Sequence, residues 1–121
     1  MTDYPTFTEV LVIHKELIDK YGGSHGLRDP GALESALYRP QSGYYEDLLQ
    51  EAAALWESLS QNHPFIDGNK RVAFAVMYTF LAINNFYLKA NPEETYLFIN
   101  GLYESQTFEY SKLYQWLQEN T

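Results

Sequence analysis

The sequence predicts an all-α domain. Two observations carry that expectation: apolar residues recur at three- and four-residue spacing along nearly the whole chain, and the breaks between such stretches carry glycine, proline or helix-capping residues. With 121 residues and no internal repeat or linker, the chain reads as one domain spanning 1–121. A domain of this size buries roughly 65–70% of its unfolded surface, enough for one core.

The first helix is expected to begin near Thr6, because Thr6-Phe7-Thr8-Glu9 has the spacing of a capping box. Val10, Ile13, Leu17 and Tyr21 follow at helical spacing, and Gly22-Gly23 supplies the stop. Asp29-Pro30 opens a second, short helix, with aspartate as cap and proline at the first position, where no N–H bond is needed. Leu33, Ala36 and Leu37 mark its buried side, and Pro40 ends it. A third helix is expected from about Tyr45 to Gln61, with Leu48, Ala52, Leu55, Trp56 and Leu59 as its apolar stripe.

After a break at Asn62 to Gly68, a strongly apolar segment runs from Asn69 to about Asn85. Val72 to Val76, Met77, Phe80, Leu81 and Ile83 cover most of its circumference, which predicts a central, buried helix. The next segment is ambiguous. Tyr96-Leu97-Phe98-Ile99 has strand propensity, but Asn91-Pro92-Glu93-Glu94 combines a cap, a first-turn proline and acids at the positive dipole end, so helix is expected. Gly101 inside it costs about 1 kcal/mol relative to alanine. A last helix carries Leu113, Trp116 and Leu117. The prediction is a bundle of about six helices around a central helix at about residues 69–85.

Composition narrows the function. Without cysteine there are no disulfides, thiolate metal sites or cysteine nucleophiles, a usage compatible with the cytoplasm, where the protein is expected to act. No secretory signal is seen, and the apolar stretch from Val72 to Ile83 is too short to span a bilayer. A net charge of −8 opposes long-range attraction to nucleic acid or anionic membrane, so neither is expected as a partner. Against that field, Lys70 and Arg71 are adjacent and make up two of the eight basic residues.

Their position is unusual. A helix N-terminus carries about half a positive charge, so a cation there is unfavourable by roughly 0.3–1 kcal/mol. A local rule broken without visible compensation often marks a functional site, and a bound anion is the compensation expected here. The neighbours fit. Gly68 allows close backbone approach to a ligand. Asn69 can cap the helix or turn its amide to an oxygen. Asp67 offers a hard oxygen to Mg2+, which commonly bridges nucleotide phosphates and one or two carboxylates. His63 is the side-chain type suited to taking a proton from a hydroxyl near neutral pH. Phosphoryl-type transfer needs mostly positioning and charge stabilisation, which these groups supply. Each also has a plainer explanation. A lone histidine after a helix is usually structural or solvated, Gly-Asn is commonly a turn, Lys-Arg pairs usually face water, and Phe65 and Ile66 read as core. What favours chemistry is their coincidence within nine residues. The segment is not a P-loop.

His63-Pro64-Phe65-Ile66-Asp67-Gly68-Asn69-Lys70-Arg71 resembles the signature of the Fic/Doc superfamily, and more narrowly that of the death-on-curing (Doc) toxins of type II toxin–antitoxin modules. Tyr21-Gly22-Gly23, Gly26-Leu27-Arg28-Asp29-Pro30-Gly31 and Leu33-Glu34-Ser35-Ala36-Leu37 extend the likeness, which runs from the first helix to about Phe86. The resemblance implies an all-α fold, ATP or another nucleoside triphosphate as donor, Mg2+, and a protein hydroxyl as acceptor. It implies His63 as general base, Asp67 as metal ligand or substrate orienter, Gly68 and Asn69 as an anion hole, and Lys70 and Arg71 as phosphate holders.

Departures within the motif decide the branch. AMP-transferring Fic enzymes resemble H-P-F-x-[DE]-G-N-G-R-x-x-R, whereas Lys70 and Phe74 stand here in place of the last glycine and the last arginine. Both look like Doc, whose members transfer a phosphoryl group and target translation elongation factor Tu, thereby stopping translation. Gly68 departs the other way, since Doc toxins often carry alanine there, and keeps AMP transfer as the alternative. The inhibitory pattern [ST]-x-x-x-E-[GN] of some Fic enzymes is unmatched, because Gln115 precedes Glu119-Asn120. Inhibition is therefore expected from a separate small antitoxin protein. A catalytically inactive antitoxin-binding module is a further alternative. A metal nuclease is disfavoured, since the motif offers only the Asp67 carboxylate.

Overall fold

The computed structural model describes residues 1–121 and contains six α-helices and no strand. Helix α1 spans Phe7–Tyr21. The capping box at its start is formed: Glu9 N donates to Thr6 Oγ1 at 3.2 Å, and Thr6 N to Glu9 Oε1 at 2.9 Å. Its buried face is Val10, His14 and Ile18. The stripe is thus turned from the expected one, with Ile13 and Leu17 only half-buried and Tyr21 exposed. Helix α2, Pro30–Tyr38, is capped by Asp29, which accepts from Ala32 N at 3.1 Å. It passes into a 3-10 turn, Arg39–Gln41, that contains Pro40.

Helix α3, Leu48–Gln61, begins three residues later than the expected Tyr45. Asp47 is its cap, accepting from Gln50 N at 2.8 Å, and Tyr45 is held outside the helix by Arg39 Nε, which donates to its hydroxyl at 2.7 Å. Helix α4, Asn69–Ile83, is two residues shorter than expected. Asn84 side-chain amide bonds to Phe80 O and Asp3 O, and the left-handed Asn85 (φ 67) turn the chain away. The ambiguous segment is helix α5, Pro92–Glu104. Asn91 caps it by accepting from Glu94 N at 2.8 Å. Helix α6 is Tyr110–Asn120.

Helices α3 and α4 share the centre. α3 packs against α2, α4 and α6, and α4 also against α1. Val72, Ala73, Val76, Met77, Phe80 and Leu81 of α4 join Leu33, Leu55, Trp56, Leu59, Leu113 and Leu117 in one continuous core. The rest of α4's apolar circumference is not covered by a helix: Phe74 and Ala75 are half-buried, and Ile83 is exposed. The reason lies in α5. None of its Cα atoms comes within 8 Å of a Cα in another helix. It is tethered by side chains instead. Phe98 stacks on Trp116 with centroids 4.7 Å apart, Tyr103 stacks on Phe108 at 4.5 Å, and Leu102 is buried. Between α4 and α5 this leaves an open groove of about 670 Å³, walled by Phe74, Tyr78, Tyr96, Ile99 and Tyr103, with Lys70 and Arg71 at one end. No helix is long and apolar enough to cross a membrane.

Candidate active site

The connection from α3 to α4 is short and heavily cross-linked to the stretch between α1 and α2. Arg28 N and Asp29 N both donate to Pro64 O, at 2.8 and 2.9 Å, and Ile66 N donates to Gly26 O at 3.0 Å. Together they make an isolated antiparallel bridge between Leu27 and Phe65. These bonds satisfy backbone groups that a loop would otherwise leave to water. Phe65 is buried beneath and anchors the loop, as expected, whereas Ile66 is 59% exposed and is not core.

His63 sits at the top of the connection with an exposed side chain and a left-handed backbone, φ 48. Histidine is among the few non-glycine types enriched in that region, yet the conformation still has to be held by its surroundings. The Arg28 guanidinium does so from the surface. Its Nε donates to His63 O at 2.8 Å, and its Nη2 to His63 O and to Asn62 O, the latter at 3.1 Å.

Asp67 is exposed and its carboxylate is fixed by two backbone donors, Ser24 N on Oδ2 at 3.0 Å and Gly68 N on Oδ1 at 2.8 Å. The amide of Ser24, then that of Gly68, holds its carboxyl below the usual carboxylate range, so it is ionised at neutral pH. Each oxygen keeps lone-pair capacity. No group of three or more His, Asp or Glu side chains forms a metal cage. Asp67 is the one carboxylate of this loop that could serve as a ligand to a divalent cation, and Mg2+ commonly takes only one or two protein carboxylates.

Gly68 is the residue from which α4 starts, left-handed at φ 76, and no side chain caps the helix. A Cβ there would lie 3.0 Å from Ile18 Cδ1 and would be strained by the backbone in any case. The backbone thus accounts for glycine at this position without reference to the group transferred. Asn69 is the first residue of α4 and not its cap. Its side-chain amide turns back onto the loop, accepting from Phe65 N and donating to Phe65 O, each at 2.9 Å. The side chain thus positions the loop.

Lys70 and Arg71 are exposed, and neither has a carboxylate partner: the ion pairs are Lys15–Asp19, His25–Asp19 and Arg39–Glu57. Lys70 Nζ lies over the Tyr103 ring, 4.4 Å from its centroid. Arg71 Nη1 donates to Gly22 O at 3.1 Å beside the Tyr21 ring. Two cations outside any ion pair thus stand at the uncapped, positive end of α4, where the charge of Arg71 also helps to keep Asp67 ionised. On the expectation that this end of α4 holds nucleotide phosphates, replacing Lys70 by glutamine should weaken binding of ATP roughly tenfold, the loss of about one charge-assisted contact. Thermal stability should stay unchanged or rise slightly, because a cation leaves the positive helix end. A marked drop in melting temperature with unchanged ATP affinity would show instead that the contact with Tyr103 is what Lys70 is for.

One residue of the site was not legible from sequence. His14 of α1 is buried, stacks flat on Phe65 with centroids 3.8 Å apart, and donates from Nε2 to Asp67 O at 2.7 Å. Its place at four-residue spacing between Val10 and Ile18 was the available signal.

The profile of the Fic/DOC family matches residues 4–81, more than half of the chain, and the chain belongs to that family. Among its relatives, "Toxin Doc" of Mycolicibacterium smegmatis (strain ATCC 700084 / mc(2)155) is 45% identical over 76 residues, covering 59% of this chain and 58% of the relative. "Protein kinase doc" of Escherichia phage P1 is 34% identical over 89 residues, covering 70% of this chain and 71% of the relative. The chain therefore matches a little over half the length of the mycobacterial toxin.

Proposed function

We propose that this chain is a Doc-type toxin that transfers the γ-phosphoryl group of ATP to a serine or threonine hydroxyl of a protein. The observation that carries the reading is the placement of Lys70 and Arg71, neither in an ion pair, at the uncapped start of α4 beside an aromatic-lined groove, within the same nine-residue segment as His63 and Asp67. The names "Toxin Doc" and "Protein kinase doc" borne by the two relatives support it.

In this mechanism a ring nitrogen of His63 takes the proton of the target hydroxyl as its oxygen attacks the γ-phosphorus. The bond from that phosphorus to the bridging oxygen breaks, ADP leaves, and the imidazolium later releases its proton to solvent. Lys70, Arg71 and the first backbone N–H groups of α4 offset charge on the phosphate oxygens, an effect already in place before reaction. Asp67 would hold Mg2+, which would supply further neutralisation of phosphate charge. The groove between α4 and α5 accepts the nucleoside against Phe74, Tyr78 and Tyr103. The same constellation could instead carry AMP transfer, with the α-phosphorus attacked and pyrophosphate leaving.

From the family resemblance, the target is elongation factor Tu, the setting is the cytoplasm, and the regulator is a small antitoxin protein. The deciding experiment is intact-mass measurement of elongation factor Tu after incubation with this chain, ATP and Mg2+. A single phosphate addition is expected. An AMP addition would transfer the assignment to the Fic reaction, and an unchanged mass across nucleotides and several candidate targets would favour a non-catalytic binding module.

A further inference from the structure

Arg28 belongs to a stretch, Gly26 to Gly31, that the mechanism above leaves without a task. Its surroundings are specific. The guanidinium makes three hydrogen bonds, all to main-chain carbonyls of the two residues Asn62 and His63, which lie 34 and 35 positions further along the chain. Its own backbone N–H donates to Pro64 O. Arg28 therefore holds residues 62, 63 and 64 simultaneously. The residue in the middle is the one non-glycine position of the loop with a left-handed backbone. Such a conformation persists only where its surroundings over-determine it. Here the fork geometry of arginine matters, since its planar donors are fixed relative to one another and put both Nε and Nη2 on His63 O while Nη2 also reaches Asn62 O, whereas the donors of an ammonium all sit on one rotating nitrogen.

We propose that Arg28 is the positioning residue that fixes the backbone of His63, and through it the direction of the imidazole toward the acceptor hydroxyl. The catalytic part of this rests on the reading of His63 as base; the clamp itself does not. Because Arg28 is exposed and its bonds reach only one loop, removing it leaves the core packing alone. The consequence is local. The base loses its aim, and a misplacement of about 1 Å at a reacting group can cost on the order of 100-fold.

The test uses the full chain carrying Arg28→Gln, Arg28→Lys, His63→Ala, and Arg28→Gln combined with His63→Ala. For Arg28→Gln the expected result is a fall in kcat of roughly 10- to 100-fold, with KM for ATP little changed. Arg28→Lys keeps the charge without the fork and is expected to recover little. The double variant should be no slower than His63→Ala alone, because a residue acting through His63 has nothing left to position. A raised KM with unchanged kcat, full recovery by lysine, or additive losses in the double variant would each overturn the proposal and make Arg28 a direct substrate contact or a general charge. An independent readout is the NMR spectrum, in which the amide signals of 62, 63 and 65 and the His63 ring protons should shift or broaden in Arg28→Gln while α6 signals stay in place. Unchanged signals there would refute the clamp whatever the kinetics. Shifted signals in a chain for which no transfer is found with any nucleotide would uphold the clamp and count against the catalytic reading of His63 instead.

Discussion

Transfer is expected to fall by about 10²–10⁴-fold when His63 is replaced, the range that a positioned general base commonly contributes. The choice of replacement matters because of the backbone. At φ 48, alanine adopts the conformation less readily than histidine or asparagine. His63→Asn therefore removes the base with less disturbance of the loop than His63→Ala, and both should be measured. Single-turnover transfer rates, followed by target mass, give the chemical loss, and thermal melting gives any structural one. Both variants are expected to be slow, with His63→Asn melting close to the parent chain. In bacteria, the parent chain expressed alone should arrest growth and His63→Asn should not. A His63→Asn protein that transfers at near the parental rate would take the histidine out of the mechanism.

The largest effect on stability is expected at Trp56. It is fully buried, and four rings surround it: Phe74, Phe98, Phe108 and Trp116, with centroids 5.6–6.3 Å away. Truncation to alanine removes those contacts and leaves a cavity that the two central helices cannot close, a loss of about 3–5 kcal/mol. A domain of ordinary stability, about 5–15 kcal/mol, survives that only narrowly. Trp56→Phe should be much milder for a reason beyond size. Trp56 Nε1 is buried without a hydrogen-bond partner, and phenylalanine has no donor to leave unpaired. Urea titration of the three proteins checks the order: parent and Trp56→Phe close together, Trp56→Ala far below. A Trp56→Phe loss as large as that of alanine would mean that the indole nitrogen is paired in solution.

The helix caps were legible because they are local. Thr6, Asp29 and Asn91 each bond a backbone N–H three residues ahead, so spacing alone located three helix starts. The start of α3 was not, because Tyr45 is drawn off by Arg39, a contact that depends on how the turn folds. His63, Asp67, Lys70 and Arg71 can be singled out together as a candidate site because they lie within nine consecutive residues. Their supports cannot. His14 is 53 residues from the carbonyl it holds, and a histidine on a helix reads as surface until its partner is known. The second task of Asn69 was hidden too, since its side-chain amide reaches backwards to Phe65. The groove was invisible for a different reason. Periodicity reports that a face is apolar, not whether another helix approaches it, and α4 was read as covered where α5 holds off.

That standoff divides the groove into two walls of different provenance. The α4 wall, with Lys70, Arg71 and Phe74, lies inside the stretch matched to the Fic/DOC family, whereas the α5 wall, with Tyr96, Ile99 and Tyr103, lies beyond residue 81, where that match ends. The segment between the two helices adds Leu88 and Ala90 to the lining. Changes along the groove-lining side of α5 can therefore reshape what the groove admits, or how wide it stands, while the nine residues from His63 to Arg71 remain untouched. On the proposed reading, the α5 side of the groove can vary in what it admits independently of the segment that carries the chemistry.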